Sequence, residues 1–156
     1  MLEKLVELWR YRELTYNLTV RDLKVRYKNS VLGIAWSLLN PLLMMMVFTL
    51  VYTVMLGQSN RHDYPVFILS GLLPWNFFSA SIMGGTGSIV GNSSLIKKVY
   101  FPRETLPLAL LLSNLVNFLV ALPMLVVLSL LLGVQLTTWA LMLPVVISVQ
   151  FFFTLG

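Results

Sequence analysis

Residues 29–60, NSVLGIAWSLLNPLLMMMVFTLVYTVMLGQSN, contain no Asp, Glu, Lys, Arg or His. An α-helix crosses the roughly 30 Å hydrocarbon core of a bilayer in about 20 residues, so a run of this length and character spans a membrane. A charge at the centre of such a segment costs about 2.5–3.5 kcal/mol on insertion scales. Residues 64–96 and 105–156 are equally free of charge. A buried core helix of a soluble protein does not account for several such runs in 156 residues.

Composition agrees. Hydrophobic residues make up 58% of the chain and charged residues 11%, against about 45–50% and about 25% in soluble domains. This excludes a disordered chain, a coiled coil and a disulfide scaffold. There is no cysteine, so no thiolate metal site or redox pair is available. The fold is read as an all-α polytopic membrane protein. Spans are expected at 33–56, 66–90, 107–132 and 137–156. The last two are divided by the turn Gly133-Val134-Gln135-Leu136-Thr137.

The charges form a map. Segments 1–32 and 91–106 hold ten of the eleven Lys and Arg residues, and Arg61 is the other. Cytoplasmic loops carry the basic excess, which predicts a cytoplasmic N-terminus. Residues 2–16 predict an interfacial amphipathic helix, with Leu2, Leu5, Val6 and Trp9 on one face. Residues 19–28 predict a further helix whose basic face, Arg21, Lys24, Arg26 and Lys28, attracts anionic headgroups.

Within the spans, polar and small residues carry the information. Ser30, Gly33, Ser37 and Asn40 recur at helical spacing, and Pro41, which lacks an N–H, is expected to interrupt the hydrogen-bond ladder of the helix that holds them. Ser70, Pro74, Phe77, Ser81, Gly84 and Ser88 share one face of a second span that Gly and Pro should make irregular. Gly87 and Gly91 match GxxxG, a close-packing motif. Asn114 and Asn117 stand three apart in the third span, and Gln150 lies in the fourth; interhelical hydrogen bonding is the default reading of each. No span holds an acid, a base or a metal-ligand cluster. Proton-coupled and catalytic chemistry in the membrane usually needs one. His62 and Asp63 lie in an outer loop and read as solvated. The loop 91–106 is unusual because Leu95, Ile96, Val99, Tyr100 and Phe101 stand beside Lys97, Lys98, Arg103 and Glu104. Apolar side chains on such a loop imply burial against a partner or in headgroups.

Three blocks taken in order, RDLKVRYKNSVLGIAWSLLNPLLMMMVFTLVY (21–52), YPVFILSGLLPWNFFSASI (64–82) and NSSLIKKVYFPRETLPLA (92–109), resemble the membrane subunit of ABC-2-type exporters of lipid-linked polysaccharides. That family exports O-antigen, teichoic acid or capsular chains across the bacterial cytoplasmic membrane. The resemblance implies a homodimeric permease of six helices per subunit, docked on a cytosolic ATPase that binds ATP and magnesium. The chain itself is expected to hold no cofactor and no metal. The whole of 1–156 then reads as one transmembrane domain that stops short of the last two helices.

The resemblance also implies residue roles. Leu95, Ile96, Lys97, Lys98, Val99, Tyr100, Phe101, Pro102, Arg103 and Glu104 would couple to the ATPase. Arg21, Lys24, Arg26 and Lys28 would meet a polyprenyl pyrophosphate headgroup. Trp36, Ser37, Asn40, Tyr52, Trp75, Asn76 and Phe78 are the channel-lining candidates. The competing readings are a membrane protein with a structural role and a membrane enzyme acting on lipid-linked sugars.

Overall fold

The computed structural model describes residues 10–27, 32–56 (side chains 37–55), 63–93, 101–134 and 142–155. Among these residues the structure is helical, without strands. The helices are α1 (Arg12–Tyr27), α2 (Leu32–Leu56), α3 (Tyr64–Gly91), α4 (Thr105–Leu131) and α5 (Leu143–Leu155). At about 1.5 Å per residue, α2 to α4 measure roughly 38–42 Å, more than the hydrocarbon thickness. These three are long and apolar enough to cross a membrane. Their bounds fall within two residues of those expected from the uncharged runs. The fourth expected span is represented by α5, a helix of 13 residues, and residues 135–141 lie outside the described part.

Two expectations about helix shape are corrected. The second span is not broken at Pro74, and Pro41 interrupts only the hydrogen-bond ladder of its helix. Both α2 and α3 run through them, as α4 runs through Pro123. Each proline deletes one backbone hydrogen bond, freeing the carbonyl four residues earlier. Unwinding in lipid would orphan several backbone groups, so the continuous helix is the cheaper solution. Residues 12–27 also form one helix across Asn17-Leu18, where two were expected.

Helix ends follow local rules. Pro65 occupies the first turn of α3, where its missing N–H is harmless. Gly133 takes φ +66° directly after α4. Its N–H bonds Leu130 O at 3.2 Å, and Val134 N–H bonds Ser129 O at 2.9 Å. This 6→1 and 5→2 pair is the Schellman closure, which needs a left-handed residue at that point.

The core lies between α3 and α4. Leu69, Leu73 and Phe77 of α3 bury against Leu111, Phe118 and Ala121 of α4, with Met45 of α2 joining them. The Phe77 and Phe118 rings stack at 5.5 Å. Lower along the same interface, Gly84 lets the helices approach closely. A Cβ there would stand 2.8 Å from Leu110 Cδ2. Of the expected stripe, Phe77, Ser81, Gly84 and Ser88 therefore lie on the packing face of α3, Pro74 is half-buried, and Ser70 is exposed. Gly87 and Gly91 face open space instead, so the GxxxG pair makes no close helix contact among the described residues.

A second cluster docks α1 onto the start of α4. Leu18 packs with Phe101, Leu106 and Ala109, flanked by Tyr11 and Leu14. The buried Thr19 hydroxyl lies 2.8 Å from Thr15 O and 3.2 Å from Ala109 O. On the other side, α5 packs Ile147 and Phe151 against the core and makes two specific contacts. Gln150 Nε2 donates to Pro74 O at 2.7 Å, and Phe153 stacks on Phe78 at 5.7 Å.

Candidate functional site

A cleft of about 890 Å³ opens between α2, α3 and α4. Its polar lining is Ser37, Asn40, Asn76, Ser79, Asn114 and Asn117, with Arg26 of α1 at one side. Leu73, Trp75, Phe77, Met83 and Phe118 supply apolar walls. Arg26 carries the only charge among the described lining residues.

The amides arise from three helices for a local reason in each. Asn40 precedes Pro41, and both line the cleft. Asn76 follows Pro74 and Trp75 on the exposed side of α3. Asn114 and Asn117 lie one turn apart on α4, nine and twelve residues after its start. At about 1.5 Å per residue they stand roughly 13 and 18 Å along a helix of about 40 Å, near its middle. An amide placed there needs a partner.

Those partners come from α1. Arg26 Nη2 donates to Asn114 Oδ1 at 3.2 Å. Asn114 Nδ2 donates in turn to Ser81 Oγ of α3 at 3.3 Å. Asn114 is 4% exposed, so this chain of bonds joins α1, α4 and α3 through a buried amide. The Tyr27 hydroxyl bonds Asn117 Oδ1. Asn117 Nδ2 is buried and makes no hydrogen bond. The last two residues of α1 therefore occupy both amide oxygens of α4 and leave one amide donor unmade.

A smaller cleft of about 390 Å³ lies where α1 meets the end of α3 and the start of α4. Arg21 and Arg26 line it together with Asp22, Ser88 and Asn92. Arg21 donates to Asp22 Oδ1 through Nε at 3.2 Å and Nη2 at 3.0 Å, and Nη2 also reaches Asn92 Oδ1 at 3.1 Å. Lys24 lines neither cleft and is exposed.

The structure thus divides the residues singled out from sequence. Ser37, Asn40, Trp75 and Asn76 come together in the large cleft, and Arg26 joins them. Tyr52 does not line it; its ring lies 5.0 Å from Tyr64, where α2 ends and α3 begins. Phe78 does not line it either, because α5 covers it through Phe153. Among the coupling-loop residues, Phe101 is buried against Leu18, Leu106 and Ala109 of its own chain. Arg103 and Glu104 are exposed at the start of α4, and Pro102 is half-buried. Lys28, the Trp36 side chain, His62 and residues 94–100 lie outside the described part.

From sequence, Asn114 and Asn117 read as interhelical links only. Asn114 is such a link, to Ser81, but both also line the cleft. Tyr27 and Ser79 were missed. The available signal was the i, i+3 amide pair in an otherwise apolar helix, which needs donors from a neighbouring element.

Chemically, the cleft offers amide donors and acceptors, hydroxyls, an indole face and one guanidinium. It presents no nucleophile–base pair among the described residues. Such a lining suits an oxygen-rich ligand that is held and released without reaction.

Comparison with known proteins agrees with this character. The family model described as ABC-2 type transporter matches residues 13–156. The chain is 43% identical over 157 residues to an O-antigen export system permease protein RfbA of Myxococcus xanthus, covering all of this chain and 60% of that protein. It is 35% identical over 140 residues to a Klebsiella pneumoniae protein of the same description, covering 89% of this chain and 54% of that protein. The chain thus spans between 54% and 60% of the length of these relatives.

Proposed function

The chain belongs to the ABC-2 type transporter family, and on that premise we propose that it forms the membrane path of an ATP-driven exporter of polyprenyl-pyrophosphate-linked polysaccharide. The observation that carries this reading is the neutral, amide-lined cleft with a single guanidinium at its side. A sugar polymer brings hydroxyls that donate and accept, and amides answer both. Its apolar faces suit the walls formed by Trp75 and Phe77. Both relatives named above are described as O-antigen export permeases, which favours this substrate class.

The proposal places the protein in the bacterial cytoplasmic membrane with its N-terminus inside, following the basic excess of 1–32 and 91–106. Two copies face each other around the polymer. A separate cytosolic ATPase binds ATP and magnesium and meets the loop 91–106, with Arg103 and Glu104 on its exposed side. Closure of the paired ATPases shifts that loop. The junction of Phe101, Leu106 and Leu18 passes the shift to α1 and α4. The polymer then advances through a wider cleft. A repacking between two helix arrangements suffices, and no bond in the substrate changes.

The test is a plug. Ala80 lines the cleft and is exposed, so Ala80→Trp in the complete permease should obstruct the path. The expected result is loss of surface polysaccharide and accumulation of lipid-linked polymer inside, with permease abundance and co-purification of the ATPase unchanged. Normal export through the Ala80→Trp variant would remove the cleft from the path.

A further inference from the structure

Among Arg21, Lys24 and Arg26, the basic residues in the second half of α1, Arg26 stands apart. Arg21 already binds Asp22 and Asn92. Lys24 is exposed and lines neither cleft. Arg26 lines both clefts, and its hydrogen-bond partner is the neutral Asn114 amide. A guanidinium presents five N–H donors in a rigid planar fork, and the amide holds one of them on Nη2.

The same amide it holds also ties two spans together. Asn114 Nδ2 reaches Ser81 of α3 while its Oδ1 accepts from Arg26. Beside it, Asn117 Nδ2 is buried without a partner. Two donors, one charged and one unmade, therefore border the same cleft, with no carboxylate among its described lining residues. That edge of the cleft has the chemistry of an anion site with several acceptor oxygens, so a diphosphate suits Arg26 as sugar hydroxyls suit the amides beyond it.

We propose that Arg26 is a substrate-sensing latch: it holds Asn114 while the cleft is empty, and exchanges that amide for a lipid diphosphate when one arrives, which loosens the Asn114–Ser81 tie between α4 and α3. The inference rests on the reading of the cleft as a path for a diphosphate-linked lipid, and it adds how arrival is reported to the helices. The exchange is favourable because a guanidinium–phosphate bond is charge-assisted on both sides, whereas the amide bond is charged on one side only. The released Asn114 oxygen is left buried, so its side chain turns to find a new donor and Ser81 loses its partner. Packing between α3 and α4 then becomes dependent on the headgroup.

The experiment uses the complete permease with its ATPase in nanodiscs. Farnesyl diphosphate is the probe, with farnesol and inorganic diphosphate as the other arms. Binding is read by calorimetry, and amide hydrogen exchange is read across residues 105–117. For the native protein, farnesyl diphosphate should bind at least about tenfold more tightly than farnesol or inorganic diphosphate, and raise exchange in that segment. Arg26→Gln should weaken diphosphate binding about tenfold, with Arg26→Lys intermediate and Lys24→Gln within about threefold of the native protein. Asn114→Leu should bind farnesyl diphosphate more tightly, because Arg26 no longer has a competing partner, and should abolish the ligand-induced change in exchange. The two Arg26 variants and the Asn114 variant act in opposite directions on affinity, so general misfolding cannot mimic the pattern. Native affinity in Arg26→Gln with loss in Lys24→Gln would overturn the latch and leave a headgroup site on the basic face. Inorganic diphosphate binding as tightly as the farnesyl form would overturn the lipid as its ligand. No preference for diphosphate over farnesol in the native protein would remove the headgroup reading itself.

Discussion

Replacing Gly84 tests the close approach of α3 to α4 quantitatively. An added Cβ would meet Leu110 Cδ2 at 2.8 Å, Cδ1 at 3.2 Å and Cγ at 3.5 Å. These are the far atoms of a rotatable side chain, so a single methyl is accommodated by pushing Leu110 off its rotamer, at about 0.5–1.5 kcal/mol. Alanine also gains about 1 kcal/mol of helix propensity over glycine. The two effects nearly cancel, and Gly84→Ala should be close to neutral. Gly84→Val adds two more carbons against the same leucine. Overpacking then costs about 1–3 kcal/mol, against a propensity gain of only about 0.3–0.4 kcal/mol. The net loss should be roughly 0.6–2.7 kcal/mol. Gly87 meets nothing within 4 Å, so Gly87→Val should be neutral to slightly stabilising. Stability of the complete permease in mixed micelles, titrated with SDS, reads each value. Leu110→Ala placed in the Gly84→Val background should recover about 1 kcal/mol as a coupling term. Equal losses for Gly84→Val and Gly87→Val, or no coupling with Leu110, would refute this account of the interface.

Two further outcomes probe the elements around the core. Gln150→Leu removes the bond to Pro74 O and should cost about 0.6–1.7 kcal/mol, the range for interhelical bonds in membranes. Hydrogen exchange across 143–155 should rise, and unchanged exchange would mean that the Phe78–Phe153 stack and the packing of Ile147 and Phe151 hold α5 without the amide. Thr19→Val keeps the shape of the α1–α4 contact but removes its hydroxyl, at about 0.5–1.5 kcal/mol. Trypsin should cleave after Lys24 several times faster in that variant, while Thr19→Ser should retain the native rate.

Much of this arrangement was legible from charge alone, because a charge-free run long enough to cross lipid seldom occurs in a chain that folds in water. The three long apolar helices followed directly. Which side of each helix faces inward did not, because core and lipid are both apolar and hydropathy carries no contrast between them. Met45 is buried while its neighbours Met44 and Met46 are 48% and 58% exposed, and nothing in a run of three methionines distinguishes them. The legible markers were polar. Ser37, Asn40, Asn76, Asn114 and Asn117 each carry groups that lipid cannot satisfy, and all five line one cleft. Aromatic residues are less legible for the opposite reason. A ring is at home in core, lipid boundary or lumen, and Tyr52 and Phe78 lie against neighbouring rings outside the cleft. Proline misled through a rule learned in water, where a broken helix has solvent to satisfy its loose ends.

The uninterrupted passage of the helices through Pro41 and Pro74 has a mechanical consequence. Pro41 lines the cleft, and Pro74 sits between the lining residues Leu73 and Trp75. Each lacks one rung of the backbone ladder, so each is an elastic joint in an otherwise stiff rod. Leu56 lies fifteen residues beyond Pro41 in the same helix, a lever arm of about 22 Å. A bend of about 5° at the joint displaces that end by about 2 Å, comparable to the 1–2 Å helix shifts known at moving interfaces. The cleft can therefore change width as calipers do, by flexing at its two pivots while both arms stay intact.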